Sequence, residues 1–258
     1  MVSAAPRRLT LTAGEWAVLT DGRVGTAPGA FAPVAMTPED RDGALASLAR
    51  AAVVDAADGA PVPAVAAQLQ LLRRPLLTLR LQISGRAGIR QGWFAVRSGV
   101  VAGVLTLADG RRELSLAPEV RLGPELARAV PAAGEVTGPW PAEQEPGDGM
   151  PLTGQLPLAL LEDRPSPGST PEELALAQEL ERRAAGSLSC LVLGRAGGGM
   201  AAGQVSWLAT DTGWTGLRPR PDGSARRPVD LVPVEPADLG TWVTPTVAAL
   251  LEGTDEQS

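Results

Sequence analysis

Three pairs of neighbouring carboxylates are the groups in this sequence best suited to moving protons: Glu39 with Asp40, Glu162 with Asp163, and Glu172 with Glu173. Two acids facing each other across a glycosidic bond can serve as general acid and as base or nucleophile. Two of the three pairs, however, follow a Thr-Pro dipeptide, in Thr37-Pro38-Glu39-Asp40 and Thr170-Pro171-Glu172-Glu173. There the hydroxyl suits a helix N-cap, the proline suits the first helical position, and carboxylates in the first turn are favoured by the helix dipole. Sequence neighbours on a strand or loop also rarely converge on one bond, so capping and solvation are the preferred reading. Other chemistries fail on residue type. The chain has no His, which removes Ser–His–Asp and Cys–His relays and histidine-bound metals. All its basic residues are Arg, so lysine nucleophiles, Schiff bases and the phosphate-loop lysine are also absent. The single Cys190 cannot build a thiolate zinc site and, within the apolar run 188–193, reads as a small buried residue. The run Gly194-Arg195-Ala196-Gly197-Gly198-Gly199-Met200 follows a strand-like segment as a phosphate loop does. Residues 204–208 after it read as another strand, so no helix N-terminus is offered to a phosphate and a hairpin is expected. The sequence therefore predicts no catalytic, cofactor-binding or metal-binding residues.

The elements that position these residues appear in a repeated order. After each Thr-Pro start, apolar residues recur at helical spacing: Leu45, Leu48 and Ala49 in one helix, Leu174, Ala177, Leu180 and Ala184 in the other. The first half adds a helix over 63–73, with Val65, Leu69 and Leu72 on one side. Leu77, Leu79, Leu81 and Ile83 then alternate with Thr78, Arg80 and Gln82, predicting a strand with one apolar face and one that can meet water. It ends in Gly85-Arg86-Ala87-Gly88, and the run 188–193 ends in the same four residues, Gly194-Arg195-Ala196-Gly197. Further strands are expected near 92–96, 99–107 and 113–117, and near 204–208, 214–217 and 229–234. Asp109-Gly110 and Asp222-Gly223 supply turns, and closing helices are expected over 124–130 and 236–251. The opening segment 9–19 has a weak echo in 152–161.

Strands joined by turns pair antiparallel. The expected fold is α+β: one antiparallel sheet flanked by helices, in a single domain spanning 1–258. Its two similar halves, 8–130 and 150–252, have a quasi-twofold relation and are joined by an exposed linker, 131–149, rich in Pro, Gly and Glu and carrying Trp140. At 258 residues, 44% apolar and 20% charged, the chain can bury a sizeable core. A net charge of −6 counts against a nucleic-acid surface. No apolar run is long enough to span a membrane and no leader is visible, which makes the cytoplasm the expected compartment; a lone cysteine fits its reducing conditions. The Arg-only basic set and the abundance of Ala, Gly and Pro point to a high-GC bacterial genome. Six Trp against two Phe and no Tyr are read as packing residues, with one or two as partner anchors the alternative; Arg73-Arg74, Arg111-Arg112, Arg182-Arg183 and Arg226-Arg227 are read as solvated.

With that order in place, the sequence resembles the EspG family of type VII (ESX) secretion-associated proteins in its broader actinobacterial form. The resemblance is carried by the Leu-rich opening, by Leu69-Gln70-Leu71-Leu72-Arg73-Arg74-Pro75 running into strands, by Leu231-Val232-Pro233-Val234-Glu235-Pro236-Ala237-Asp238-Leu239-Gly240 before the last helix, and by the duplication. It implies a cytosolic, chaperone-like protein that binds a helical secretion client, a PE–PPE-like heterodimer or an equivalent, without turnover or cofactor. Contact would fall on the sheet face and the carboxy-terminal helices. The hairpin 84–91 corresponds to a variable partner-contacting region of the family and is short here; Arg86, Ala87, Gly88 and Ile89 are the contact residues the resemblance suggests. A self-associating scaffold using the Trp-bearing sheet and a carboxylate-based hydrolase are the alternatives.

Overall fold

The structure is a computed structural model that describes residues 7–24, 27–138, 149–162, 164, 167–196, 199–221 and 226–255. In chain order the first half holds β1 (Arg7–Leu11), α1 (Ala13–Thr20), α2 (Pro38–Arg50), α3 (Pro63–Arg73), β2 (Leu77–Gly85), β3 (Gly88–Arg97), β4 (Val100–Thr106), β5 (Arg112–Pro118) and α4 (Leu122–Ala129). A short α5 (Ala133–Thr137) precedes β6 (Gly154–Pro157), α6 (Leu158–Leu161), α7 (Pro171–Arg183), β7 (Gly186–Ala196), β8 (Gly199–Thr210), β9 (Gly213–Pro219), β10 (Pro228–Val234) and α8 (Asp238–Asp255). The helix starts lie where the hydroxyls place them. Thr37 Oγ1 accepts from the Asp40 amide, and Thr170 and Glu173 satisfy each other's backbone N–H groups in a capping box. Thr12 and Glu15 do the same for α1. The 9–19 and 152–161 segments that echo each other are both a strand followed by a helix, β1–α1 and β6–α6.

The ten strands form one antiparallel sheet in the order β1-β5-β4-β3-β2-β7-β8-β9-β10-β6. Read outward from the β2–β7 seam, the two sides have matching order. Leu81 lies opposite Cys190 at the seam, so the pseudo-axis passes between them and relates Leu79 to Leu188, Ile83 to Val192 and Gly85 to Gly194. Phe94 pairs with Leu79 and Trp207 pairs with Leu188, so the counterpart of Trp207 is Phe94. Trp93, in the strand equivalent to that of Trp207, is one position out of register and points to the other side of the sheet. The two glycine motifs also differ in use. Gly85 ends β2 and Arg86-Ala87 form the turn, whereas Gly194, Arg195 and Ala196 are still paired, to Ala201, Met200 and Gly199, so the second hairpin is longer. Residues 197–198 and the expected Asp222-Gly223 turn lie outside the described residues.

Alternation sends Leu77, Leu79, Leu81 and Ile83, with Leu188, Cys190 and Val192, to one face, where a single core runs across both halves beneath α4, α5 and α8. The opposite face is covered in two patches. α1, α2 and α3 bury Trp16, Leu48, Leu69 and Leu72 against Trp93, Ala102 and Leu114. On the far side Leu180 of α7 packs with Leu156 and Leu231.

Three sequence readings change. The segment taken for an exposed linker begins with α5, whose Ala133 and Val136 are buried. A Cβ on Gly85 or Gly186 would fall 2.5 or 2.6 Å from Val136, so the seam must carry glycine there to admit the helix. Trp214 Nε1 donates to Pro131 O at 3.0 Å and fixes the same stretch; residues 139–148, with Trp140, lie outside the described residues. Arg183 is buried rather than solvated, because Asp211 (2.6 Å), Thr212 Oγ1 (2.7 Å) and Met150 O (3.0 Å) meet its guanidinium. Arg112 is buried as well and donates to Ala30 O at 3.3 Å.

Candidate partner-binding surface

The β2–β3 hairpin is the tightest possible projection. Gly85 pairs with Gly88, Ser84 with Ile89, and only Arg86 and Ala87 form the turn, with Gly88 at φ +107°. Arg86, Ala87, Gly88 and Ile89 are all exposed, so the structure brings the four together at one end of the seam. Ile89 is 65% exposed, an apolar side chain with no internal reason to be there. The hairpin leans on α5: Arg90 reaches Glu135 at 3.4 Å and the Ala87 amide points to Val136 O at 3.5 Å. Because the ladder continues through Ser84 and Ile89, the loop expected over 84–91 is two residues long.

From this hairpin a strip of sheet extends between the two helical patches. Its floor is the outward side of β2, β7 and β8, where Arg80, Gln82 and Gln204 are exposed and Leu191 and Leu193 half-buried. Residues of this side were legible from the alternation of Thr78, Arg80 and Gln82. Ser84 and Ser187 hydroxyls meet across the seam at 3.1 Å.

On the other face, α8 crosses β9, β8 and β7 diagonally over three glycines. Trp242 lies over Gly216, Thr246 over Gly203 and Leu250 over Gly194, one residue per turn of helix; a Cβ at the first two sites would fall 2.5 Å from the side chain above it. Sequence reasoning missed this track because each glycine reads alone as a weak strand position. α8 and α4 meet at Gly240 and Gly123, where a Cβ on Gly240 would come within 2.7 Å of the Gly123 Cα. Beside this crossing runs a groove of about 760 Å3 lined by Leu122, Ala127, Val243 and Val247, with Val120, 90% exposed, on its rim.

The tryptophans among the described residues are packing residues. Trp16, Trp93, Trp207 and Trp214 are buried; Trp242 is half-buried, edge-on to Trp207 at 5.9 Å and under the Arg218 guanidinium at 4.5 Å. Each carboxylate pair has at least one member engaged structurally. Thr37 Oγ1 donates to Asp40 Oδ2 at 2.7 Å, Arg226 meets Glu173 at 2.7 Å, and Arg164 pairs with Glu162; Asp163 lies outside the described residues. The Glu172 carboxyl is held below its ordinary value by its own backbone N–H and the Thr170 hydroxyl. Burial pushes the Cys190 thiol up to about 12, which leaves it an apolar filler at neutral pH. Among the described residues no group of three His, Cys, Asp or Glu could hold a metal ion, and no helix is long and apolar enough to cross a membrane.

No protein-family model and no curated protein matches the sequence. Among solved structures, the chain is similar to the type VII secretion system chaperone EspG5 of Mycobacterium tuberculosis, solved in complex with the PE25–PPE41 dimer. The identity is 11%, the TM-score 0.58, and the match covers 96% of each chain. The chain has the EspG fold: an antiparallel sheet of ten strands with helices on both sides.

Proposed function

We propose that a chain with this fold and these surfaces is a cytoplasmic, non-catalytic chaperone that binds a helical client of type VII secretion, a PE–PPE-like heterodimer or an equivalent, and keeps it soluble until export. The observation that carries the reading is the likeness to EspG5 over nearly the whole of both chains, since a shared piece of sheet would not reproduce the helical layers as well. The residue inventory agrees with it: with no imidazole or amine side chain, the molecule is equipped to touch another polypeptide rather than to transform a substrate. The contact would use the Arg86–Ile89 hairpin and the adjoining strip of sheet. A standard interface buries about 800 Å2 on each partner, and an apolar centre with a polar rim would shield an apolar helical tip without an energy source.

Co-expression with the secreted helical proteins encoded beside its gene tests the reading. A tagged chain is expected to retain one of them as a stoichiometric complex through gel filtration and to raise its soluble yield. Failure of every such protein to bind at micromolar concentration, or turnover of a small metabolite by the purified chain, would remove it.

A further inference from the structure

The charge of the open strip differs from that of the molecule. β2, β3, β7 and β8 carry four arginines, Arg80, Arg90, Arg97 and Arg195, and no Asp or Glu, in a chain whose net charge is −6. Arg90 faces the other way and pairs with Glu135, and Arg97 donates to Arg74 O at 2.7 Å. Arg80 and Arg195 remain. Both are exposed, alternation puts both on the outward side, and neither makes an ion pair or hydrogen bond with a described residue. The flanking helices do not neutralise them: α3 contains no acid, and of the four glutamates of α7, Glu173 and Glu179 are taken by Arg226 and Arg182, Glu172 by the Thr170 hydroxyl, and the exposed Glu181 makes no ion pair with either arginine. Between the two cations the floor is Leu191 and Leu193.

We infer that this strip seats a single amphipathic helix of a partner protein that presents carboxylates on the same face as its apolar side chains. The inference rests on the chaperone reading and adds the chemistry of the client. Three strands at about 4.8 Å spacing give a floor about 10 Å across, the diameter of one helix. Arg80 lies opposite Leu191, and Arg195 is four residues further along β7, about 13 Å at the rise of a strand. At 1.5 Å per residue that distance corresponds to about nine residues of helix, so acids seven or eleven apart, both on one face, come within reach of the two guanidiniums. A nucleic acid is disfavoured because two cations on a floor of leucines release few counterions and offer no aromatic stacking surface.

The probes are fluorescein-labelled, hydrocarbon-stapled helical peptides of about 20 residues with a leucine stripe and, on that stripe, two Glu seven residues apart, two Gln, or two Lys. Anisotropy titration of the full chain at low salt is expected to rank Glu over Gln by about tenfold, the effect of two exposed ion pairs. R80Q/R195Q removes the ranking, and R80E/R195E reverses it towards the Lys peptide, while R41Q, on α2, leaves it unchanged. Equal binding of the Glu and Gln peptides, binding of none of them, or a ranking that survives R80Q/R195Q overturns the inference; so does a single-stranded RNA that binds more tightly than the Glu peptide and loses its affinity in R80Q/R195Q. The two readings fail separately. A gene-neighbour client retained equally by R80E/R195E leaves the chaperone reading standing and removes this seat, whereas a Glu preference without any client leaves the seat and removes the chaperone.

Discussion

Glu15 ties two helices together through one carboxylate. It accepts from the Thr12 amide at 2.8 Å and from the Ser47 hydroxyl at 2.7 Å, so the start of α1 is fastened to α2. Burial alone would raise its pKa, but the hydrogen bonds from Ser47 and Thr12 and the charge of Arg50 outweigh that and hold it below the ordinary value. A carboxyl whose folded pKa is depressed stabilises the fold above its unfolded pKa, and that contribution is lost as pH falls through the folded value. Glu15→Gln is expected to cost about 1 kcal/mol at neutral pH. The gap from wild type should close as acid carries the solution from the ordinary glutamate value down through the lower one of Glu15; urea unfolding at several pH values measures it. Side chains of this kind mark the limit of sequence reading. The threonine caps are legible because donor and acceptor are three residues apart. Arg183 is not, since its partners Asp211 and Thr212 are brought to it by the fold and nothing in Arg182-Arg183 distinguishes the buried arginine from the exposed one.

The same division holds for elements. The alternation in β2 and the Thr-Pro starts of α2 and α7 are local signals strong enough to place those elements. α5 is five residues in a Pro-, Gly- and Glu-rich stretch, too short to be stable alone; it exists because Gly85 and Gly186 let Val136 reach the seam. The candidate surface divides likewise: the hairpin Arg86–Ile89 was visible as a turn between strands, whereas the α8 track depends on which strand lies beneath which helical turn. That track can be tested as a unit. Gly203→Ala places a methyl 2.5 Å from Thr246 Cγ2 and is expected to destabilise by about 1–3 kcal/mol. Thr246→Ala removes the nearest atoms, so the double variant should recover most of the loss. A double-mutant cycle with a coupling below about 0.5 kcal/mol would mean that the helix is not seated this way.

At the scale of the molecule, the halves recognised from the repeat are not independent bodies in their packing. Every residue of β2 pairs with β7, one core contains residues from both sides of the seam, and the helix that follows the first half, α5, lies on the seam. Far-UV ellipticity and tryptophan emission should therefore fall along one denaturant curve, with Trp16 and Trp93 reporting on one half and Trp207, Trp214 and Trp242 on the other. Separate transitions for the two signals would show that the seam is weaker than its register implies.

The outermost strands carry a consequence of their own. A sheet this wide ends in two rows of unpaired backbone groups, the usual template for fibrous stacking of one molecule upon the next. Here β1 is five residues long, its Arg8 bound to Glu125 at 2.8 Å, and β6 is four, closed by Pro157, which has no amide to donate. The molecule thus limits its own polymerisation at both borders by brevity, charge and a missing donor, and lengthening either border with alternating valines is the change most apt to turn it into an aggregating species.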